Sequence, residues 1–239
     1  MIISGVHSIE EAIAGGKSIA KIFVREDKNI PEKLYRQIRT MQIPFYKLAP
    51  DVFKAKYKND SSILAFVEEI EYYDFEDVVA LPKSGLSRIL IVDEIEDPNN
   101  IGAMVRSSVG FGFNGIVLTT RRTVTIGEGT IRASSGTLFS QKMTRIGNLA
   151  QAIESMQKMG YWIIGTAVGA KTSIQQVDMN RHIAVVMGNE EKGVRQKILE
   201  KCDYLVKIPM EQNLNSLNVS VAFGILAYEI YKAKKALNE

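Results

Sequence analysis

The chain is short of the side chains that build disulfide or metal chemistry. Its 239 residues include one cysteine, Cys202, and two histidines, His7 and His182. A single cysteine excludes an internal disulfide and fits a reducing compartment, so a cytoplasmic location is expected. So few imidazole and thiolate ligands leave no basis for a histidine/cysteine metal site, and no metal is expected. Long apolar runs are missing as well. None approaches the roughly 20 residues of a membrane span, so no membrane partner is expected. The opening "MIISGVHSIEEA" lacks a basic start followed by an apolar block, which argues against a secretory leader. Neither a Walker-A loop nor a G-x-S-x-G elbow occurs. Net charge is small, at +3.

What is there suits a globular protein of one large or two small domains: 46% apolar and 24% charged residues. The charge is unevenly spread. Residues 1–60 hold 11 Lys/Arg against 7 Asp/Glu, residues 61–99 hold 2 against 10, and residues 100–150 hold 6 against 1. Basic segments flanking an acidic one suit either a polyanionic partner or plain surface solvation.

The first part reads as a small α/β unit. In "SIEEAIAGG", Ser8 and Glu11 have capping-box spacing, and Gly15 and Gly16 make a C-terminal stop. "IAKIFVRE" and "SILAFVEEI" suit strands. "PEKLYRQIRTMQ" suits a helix with Pro31 at its first position and Leu34, Ile38 and Met41 at helical spacing. The acidic "EYYDFEDVVALPKSGLS" holds the expected boundary, giving a unit over 1–75, a linker over 76–87 and a second unit over 88–239. From Arg88 onward "RILIVDE", "GIVLTT", "YWIIGTAV", "HIAVVMGN" and "YLVKIPM" are β-branched and mostly non-alternating, as strands buried on both faces of a parallel sheet are. Helices are expected near 100–111, 147–158 and 191–200, with a terminal helix from about Leu217 to Lys235. The alternation predicts an α/β fold with a mainly parallel sheet.

"DPNNIGAMVRSSVGFGFNG" spans residues 97–115 and contains a literal G-x-G-x-x-G at 110, 112 and 115. A dinucleotide fingerprint must follow a strand and open a helix; here a helix precedes the glycines and a strand follows them. They read as a helix stop and turn. On a helix over 101–111, Ile101, Met104, Val105, Val109 and Phe111 share the core face. Gly102, Arg106 and Gly110 form a stripe at its edge, with open space expected around Arg106. Asp97, Asn99 or Asn100 supplies the cap. Arg106 there suits a phosphate, gripped through two parallel hydrogen bonds, or else a buried ion pair with Asp93, Glu94 or Asp97. "VVMGNEEKGV" and "IPMEQNLNSLNVSVAFGILAYE" likewise run from strands into polar loops, the place where ligands bind in α/β sheets. Ser216 on its own reads as an N-cap.

Together these three segments resemble the motifs of the SpoU (TrmH) family of RNA ribose 2′-O-methyltransferases in the SPOUT superfamily. "DPNNIGAMVRSSVGFG" looks like the first motif, "MGNEEKGV" the second and "IPM…SLNVSVA" the third. Residues 1–75, best in "ISGVHSIEEAI", are more weakly similar to the ribosomal-protein-like RNA-binding domain that many members carry in front.

The resemblance implies a deep C-terminal trefoil knot, a homodimer and S-adenosylmethionine as methyl donor. It assigns cofactor contacts to Thr166, Ala167, Gly188, Asn189, Ile208, Met210, Ser216 and Leu217, and catalytic roles to Arg106, Asn100, Glu190 and Asn218. Asn100, Glu190 and Asn218 would orient Arg106 and the ribose. Arg106 and Arg132, the latter in the "RASSG" loop, are the expected RNA contacts. The sequence departs from the family at Gln212, where glycine is usual, and at "KNDSS" (58–62), where "HQG" is usual. The implied substrate is RNA, with large-subunit rRNA favoured over tRNA. A non-catalytic RNA-binding or ribosome-assembly factor and an enzyme with another nucleotide ligand stay open.

Overall fold

Two sheets of different chemistry organise the chain. The computed structural model describes residues 1–57, 61–167, 169–211 and 216–236. The first unit runs β1 (Ile2–Ser4), α1 (Val6–Ala14), β2 (Ile19–Arg25), α2 (Glu32–Thr40), β3 (Phe45–Leu48), α3 (Pro50–Tyr57) and β4 (Ile63–Val67). Its strand order is β1-β4-β2-β3, with β4 antiparallel to both neighbours and β2 parallel to β3. Ile9, Ala12, Leu34 and Ile38 of α1 and α2 share a buried cluster with Ile3, Ile22, Val24, Ile63 and Ala65 of the sheet. The other sheet face buries Phe23 and Leu64 beneath Phe53 of α3.

Local chemistry corrects two expectations here. The capping box does not form: α1 starts behind Gly5, at φ 91°, and Ser8 lies buried inside the helix. Pro31 precedes α2 rather than opening it, and Met41 lies exposed just past its end. Gly15 and Gly16 do end α1, Gly16 at φ 69°.

The second unit runs α4 (Phe75–Val79), β5 (Arg88–Val92), α5 (Pro98–Gly110), β6 (Gly115–Thr119), α6 (Glu128–Ala133), β7 (Lys142–Ile146), α7 (Leu149–Lys158), β8 (Tyr161–Thr166), β9 (Thr172–Ser173), β10 (His182–Met187), α8 (Gln196–Leu199), β11 (Tyr204–Lys207) and α9 (Val219–Ala236). The sheet order is β7-β6-β5-β10-β8-β11-β9, and every pairing is parallel. Alternate residues of the central strands go to opposite sides. Leu90, Val92, Ile116, Leu118, Ile183 and Val185 join the cluster containing Met104 of α5 and Phe223 of α9. Ile89, Ile91, Val117, Ala184 and Val186 join Val79 of α4 and Ile153 of α7. Burial on both faces is why these strands are apolar throughout. The helix expected over 191–200 is mostly loop, with only α8 helical.

From β5 the chain adds β6 and β7 outward, then returns to build β8, β10 and β11 on the other side. The order therefore reverses between β5 and β10, where parallel sheets open a crevice at their carboxyl ends. At the opposite end Arg88 is 1% exposed, with no carboxylate partner among the described residues. Its guanidinium donates to the carbonyls of Met179 (2.7 Å), Ser87 (3.1 Å) and Arg181, and burial pushes its pKa down to about 10.

The two units touch closely. Ser4 Oγ donates to Glu128 Oε1 at 3.4 Å. A Cβ on Gly136 would lie 2.7 Å from Glu11 Cβ and 2.8 Å from Ser8 Cα, and one on Gly15 would lie 2.9 Å from Phe139 Cβ.

Candidate active site

A cavity of about 560 Å³ opens at the carboxyl ends of β8, β10 and β11. Its walls include all eight residues expected to hold a cofactor: Thr166, Ala167, Gly188, Asn189, Ile208, Met210, Ser216 and Leu217. Glu190 lines it too, with Val194, Val219, Ala222 and Leu226 as apolar floor. The loop after β10 is folded by its own residues. A Cβ on Gly188 would sit 2.2 Å from Val194 N and 2.3 Å from Gly193 C, so only glycine fits. Gly193 N donates to Asn189 O at 2.8 Å, and Asn189 Oδ1 accepts from the amides of Glu191 and Lys192 at 3.1 and 3.2 Å. Asn189 Nδ2 in turn donates to Glu94 O at 3.0 Å, tying the loop to the end of β5.

Three of the predicted catalytic residues meet. Asn218 caps α9: its Oδ1 accepts from Ser220 N at 2.9 Å and Ser220 Oγ at 2.6 Å. That leaves Nδ2 to donate to Asn100 Oδ1 at 2.9 Å, and Asn100 Nδ2 donates to Glu190 Oε1 at 2.8 Å. Each amide has its orientation fixed by the next, so the first turn of α5 and two loops, all distant in sequence, are joined by two side-chain hydrogen bonds. The cap role expected of Ser216 belongs to Asn218. At α5 it belongs to Asp97, which accepts from Asn99 N at 2.8 Å and leaves Asn100 free to reach Glu190.

Arg106 stands apart from this trio. It is exposed, and among the described residues its side-chain hydrogen bond is from Nη1 to Ser135 Oγ, at 3.1 Å. Asn100, Glu190 and Asn218 therefore do not orient it directly. The open stripe is half right: among the described residues nothing lies within 4 Å of a Cβ on Gly110, but one on Gly102 would meet Ala133 Cβ at 2.5 Å and Thr130 O at 2.6 Å. Gly102 lets α6 pack against α5, which brings Ser135 to Arg106. Ser135 holds φ 53°, a left-handed conformation uncommon for serine. Arg132 is exposed on the last turn of α6.

The alternative of a buried ion pair for Arg106 is taken by a residue the sequence reading missed. Arg195 donates to Asp93 from Nε at 3.0 Å and Nη2 at 2.6 Å, and lies 3.5 Å from Glu94. The available signal was Asp93 itself, a carboxylate ending a buried strand and needing a partner. Gln212 and residues 58–60 of "KNDSS" lie outside the described residues. Among the described residues no cluster of three or more His, Cys, Asp or Glu could hold a metal, and no helix is long and apolar enough to cross a membrane. Burial pushes the Cys202 thiol up to about 12, with Asp203 adding to it, which removes it as a nucleophile.

The SpoU methyltransferase AviRb from Streptomyces viridochromogenes superposes with a TM-score of 0.83, at 23% identity, over 99% of this chain and 90% of that one. Its complex with AdoMet superposes at 0.80, at 22% identity, over 97% and 89%. A TrmH family tRNA/rRNA methyltransferase of Staphylococcus saprophyticus is 31% identical over 246 residues, covering 100% of this chain and 98% of that protein. Residues 87–228 match the SpoU rRNA Methylase family, and residues 2–73 match the RNA 2′-O ribose methyltransferase substrate-binding family. The chain belongs to the SpoU rRNA methylase family and is a methyltransferase.

Proposed function

We propose that the protein transfers a methyl group from S-adenosylmethionine to a ribose 2′-hydroxyl of RNA, with large-subunit rRNA as substrate. The cavity carries this reading, because it gathers all eight motif residues expected to hold the cofactor. Its chemistry fits: apolar Ile208, Leu217 and Val194 suit a flat heterocycle, and the missing side chain at Gly188 gives backbone to approach. When bound, the sulfonium supplies an electrophilic methyl group.

The chain's own residues then have separable tasks. The Asn218–Asn100–Glu190 relay holds the start of α5, the loop after β10 and the start of α9 in one arrangement and presents the Glu190 carboxylate at the cavity. A guanidinium is no free base, so Arg106 grips a phosphate beside the reacting ribose and stabilises the developing alkoxide, and that phosphate takes the hydroxyl proton. Arg132, exposed on the last turn of α6, adds a backbone contact to RNA. The 2′-hydroxyl is what separates RNA from DNA here.

The family match and the front unit support rRNA over tRNA. A homodimer belongs to the same reading: Val221, Ile225 and Tyr228 recur on one exposed stripe of α9. So do a cytoplasmic site of action, a front unit over 1–75 joined by 76–87, whose α4 residues pack on the large sheet, to a catalytic unit over 88–239, and trefoil threading of the segments after β8, β10 and β11.

The test incubates the protein with methyl-labelled S-adenosylmethionine and, separately, unmodified rRNA and tRNA. Label on one rRNA ribose is expected, and Arg106→Ala is expected to abolish it while calorimetric cofactor binding stays near wild type. Label on tRNA alone overturns the substrate, and lost cofactor binding in Arg106→Ala overturns that residue's role.

A further inference from the structure

One surface of the front unit has no part in the methyl transfer. The sheet face under α3 carries a row of rings across three strands: Tyr46 on β3, Phe23 on β2 and Phe66 on β4. Phe23 stacks on Tyr46 at 5.2 Å and 25°, and meets Phe66 edge-on at 5.8 Å. α3 roofs only part of the row, burying Phe23 and leaving Tyr46 49% exposed and Phe66 half-buried. Two ammonium groups stand over the rings. Lys21 Nζ lies 4.7 Å from the Phe66 centroid and 5.8 Å from Phe23; Lys56 Nζ lies 5.7 Å from Phe23 and 5.6 Å from Tyr57. Neither lysine has a carboxylate partner among the described residues.

We infer that this face is a stacking platform for unpaired RNA nucleotides, with Tyr46 the outermost ring and Lys21 and Lys56 taking phosphates. The inference rests on the RNA-methyltransferase reading and narrows its substrate to RNA whose bases are splayed out. A packed mini-core would bury its rings and need no cations, whereas this row keeps a ring in water beside charges left unneutralised. Base faces are available only outside a duplex, and an aromatic ring flanked by lysines matches a base followed by its phosphate. Tyr46 lies on the edge strand β3 and is half exposed, so a base can reach it without displacing α3.

The test measures fluorescence anisotropy of the full chain with a labelled single-stranded 12-mer RNA and with the same RNA annealed to its complement. Tyr46→Leu keeps apolar bulk and loses the ring; it is expected to weaken single-strand binding roughly tenfold and leave duplex binding unchanged, while Tyr46→Phe binds as wild type. Lys21→Gln is expected to lower the salt slope by about 1. Tyr35→Ala, on α2, is the control. Wild-type affinity in both Tyr46→Leu and Lys21→Gln overturns the inference, as does equal loss on single strand and duplex, or capture of a protein with no RNA affinity at all. Calorimetry with S-adenosylmethionine runs beside each variant. A chain that binds cofactor and transfers methyl without a Tyr46 effect overturns the platform alone. One that binds unpaired RNA through Tyr46 but no cofactor overturns the methyltransfer reading alone.

Discussion

Arg195 and Asp93 meet in a two-point grip, 3.0 Å and 2.6 Å, with the Asp93 side chain fully buried and Arg195 reaching it from the loop that lines the cavity. The Asp93 bond holds the Arg195 guanidinium above its ordinary pKa, with burial opposing and Glu94 assisting. The pair thus pins the carboxyl end of β5 to the segment that follows the cavity loop. Arg195→Ala strands a buried carboxylate and is expected to cost about 2–3 kcal/mol in urea unfolding. Asp93→Asn in the same chain should recover part of that loss; strictly additive effects in the double-mutant cycle would disprove the coupling.

Gly188 and Gly110 make opposite predictions from the same substitution. Gly188→Ala forces backbone apart at Val194 and Gly193. Cofactor affinity by calorimetry is expected to drop about tenfold or more. Gly110→Ala meets open space at the end of α5 and is expected to be neutral or to raise stability by up to about 1 kcal/mol.

Ser135→Ala removes the hydroxyl that holds Arg106. One positioning hydrogen bond is worth about 1 kcal/mol, so methyl transfer should slow roughly fivefold in kcat with cofactor binding unchanged. A variant that loses cofactor binding instead would place Ser135 in the cavity wall.

His182 Nδ1 accepts from Ser87 N at 3.0 Å, and burial, with the nearby Arg88 charge, lowers its pKa below 6.5. The folded chain therefore prefers neutral His182. Its contribution to stability is intact above 6.5 and is lost as pH falls from there through the folded pKa. Unfolding in urea at pH 7.5 and at steps below 6.5 should show that decline. His182→Asn keeps an acceptor at the Nδ1 position without titrating, and should flatten this part of the profile; an unchanged slope would remove His182 as its source.

The large sheet was legible because its strands face two cores. "RILIV" and "HIAVV" have no polar side to hide, and every residue of β5 is buried. β3, "FYKL", and α3, in which Phe53 alone is buried, carry no comparable pattern, and neither was anticipated. The helix expected over 191–200 failed because Asn189 and Gly193 fold the preceding residues into a turn, a tertiary demand of the cavity that overrides the propensity of "EEKGVRQK". The site was legible at Gly188, Glu190, Asn100 and Asn218, whose neighbours in sequence mark strand ends. The neighbourhood of Arg106 was not, because Gly102 is filled by α6 and Ser135 lies 29 residues away.

The close fit of Gly136 against Ser8 and Glu11 sets the front unit directly behind the turn that carries Ser135. Any tilt of α1 when RNA presses on the first unit must pass through that contact, and the next side chain back along the chain is Ser135. The grip on Arg106 is in this sense geared to whatever the first seventy residues hold. A shortened protein lacking them would lose that setting even where its cavity stayed whole.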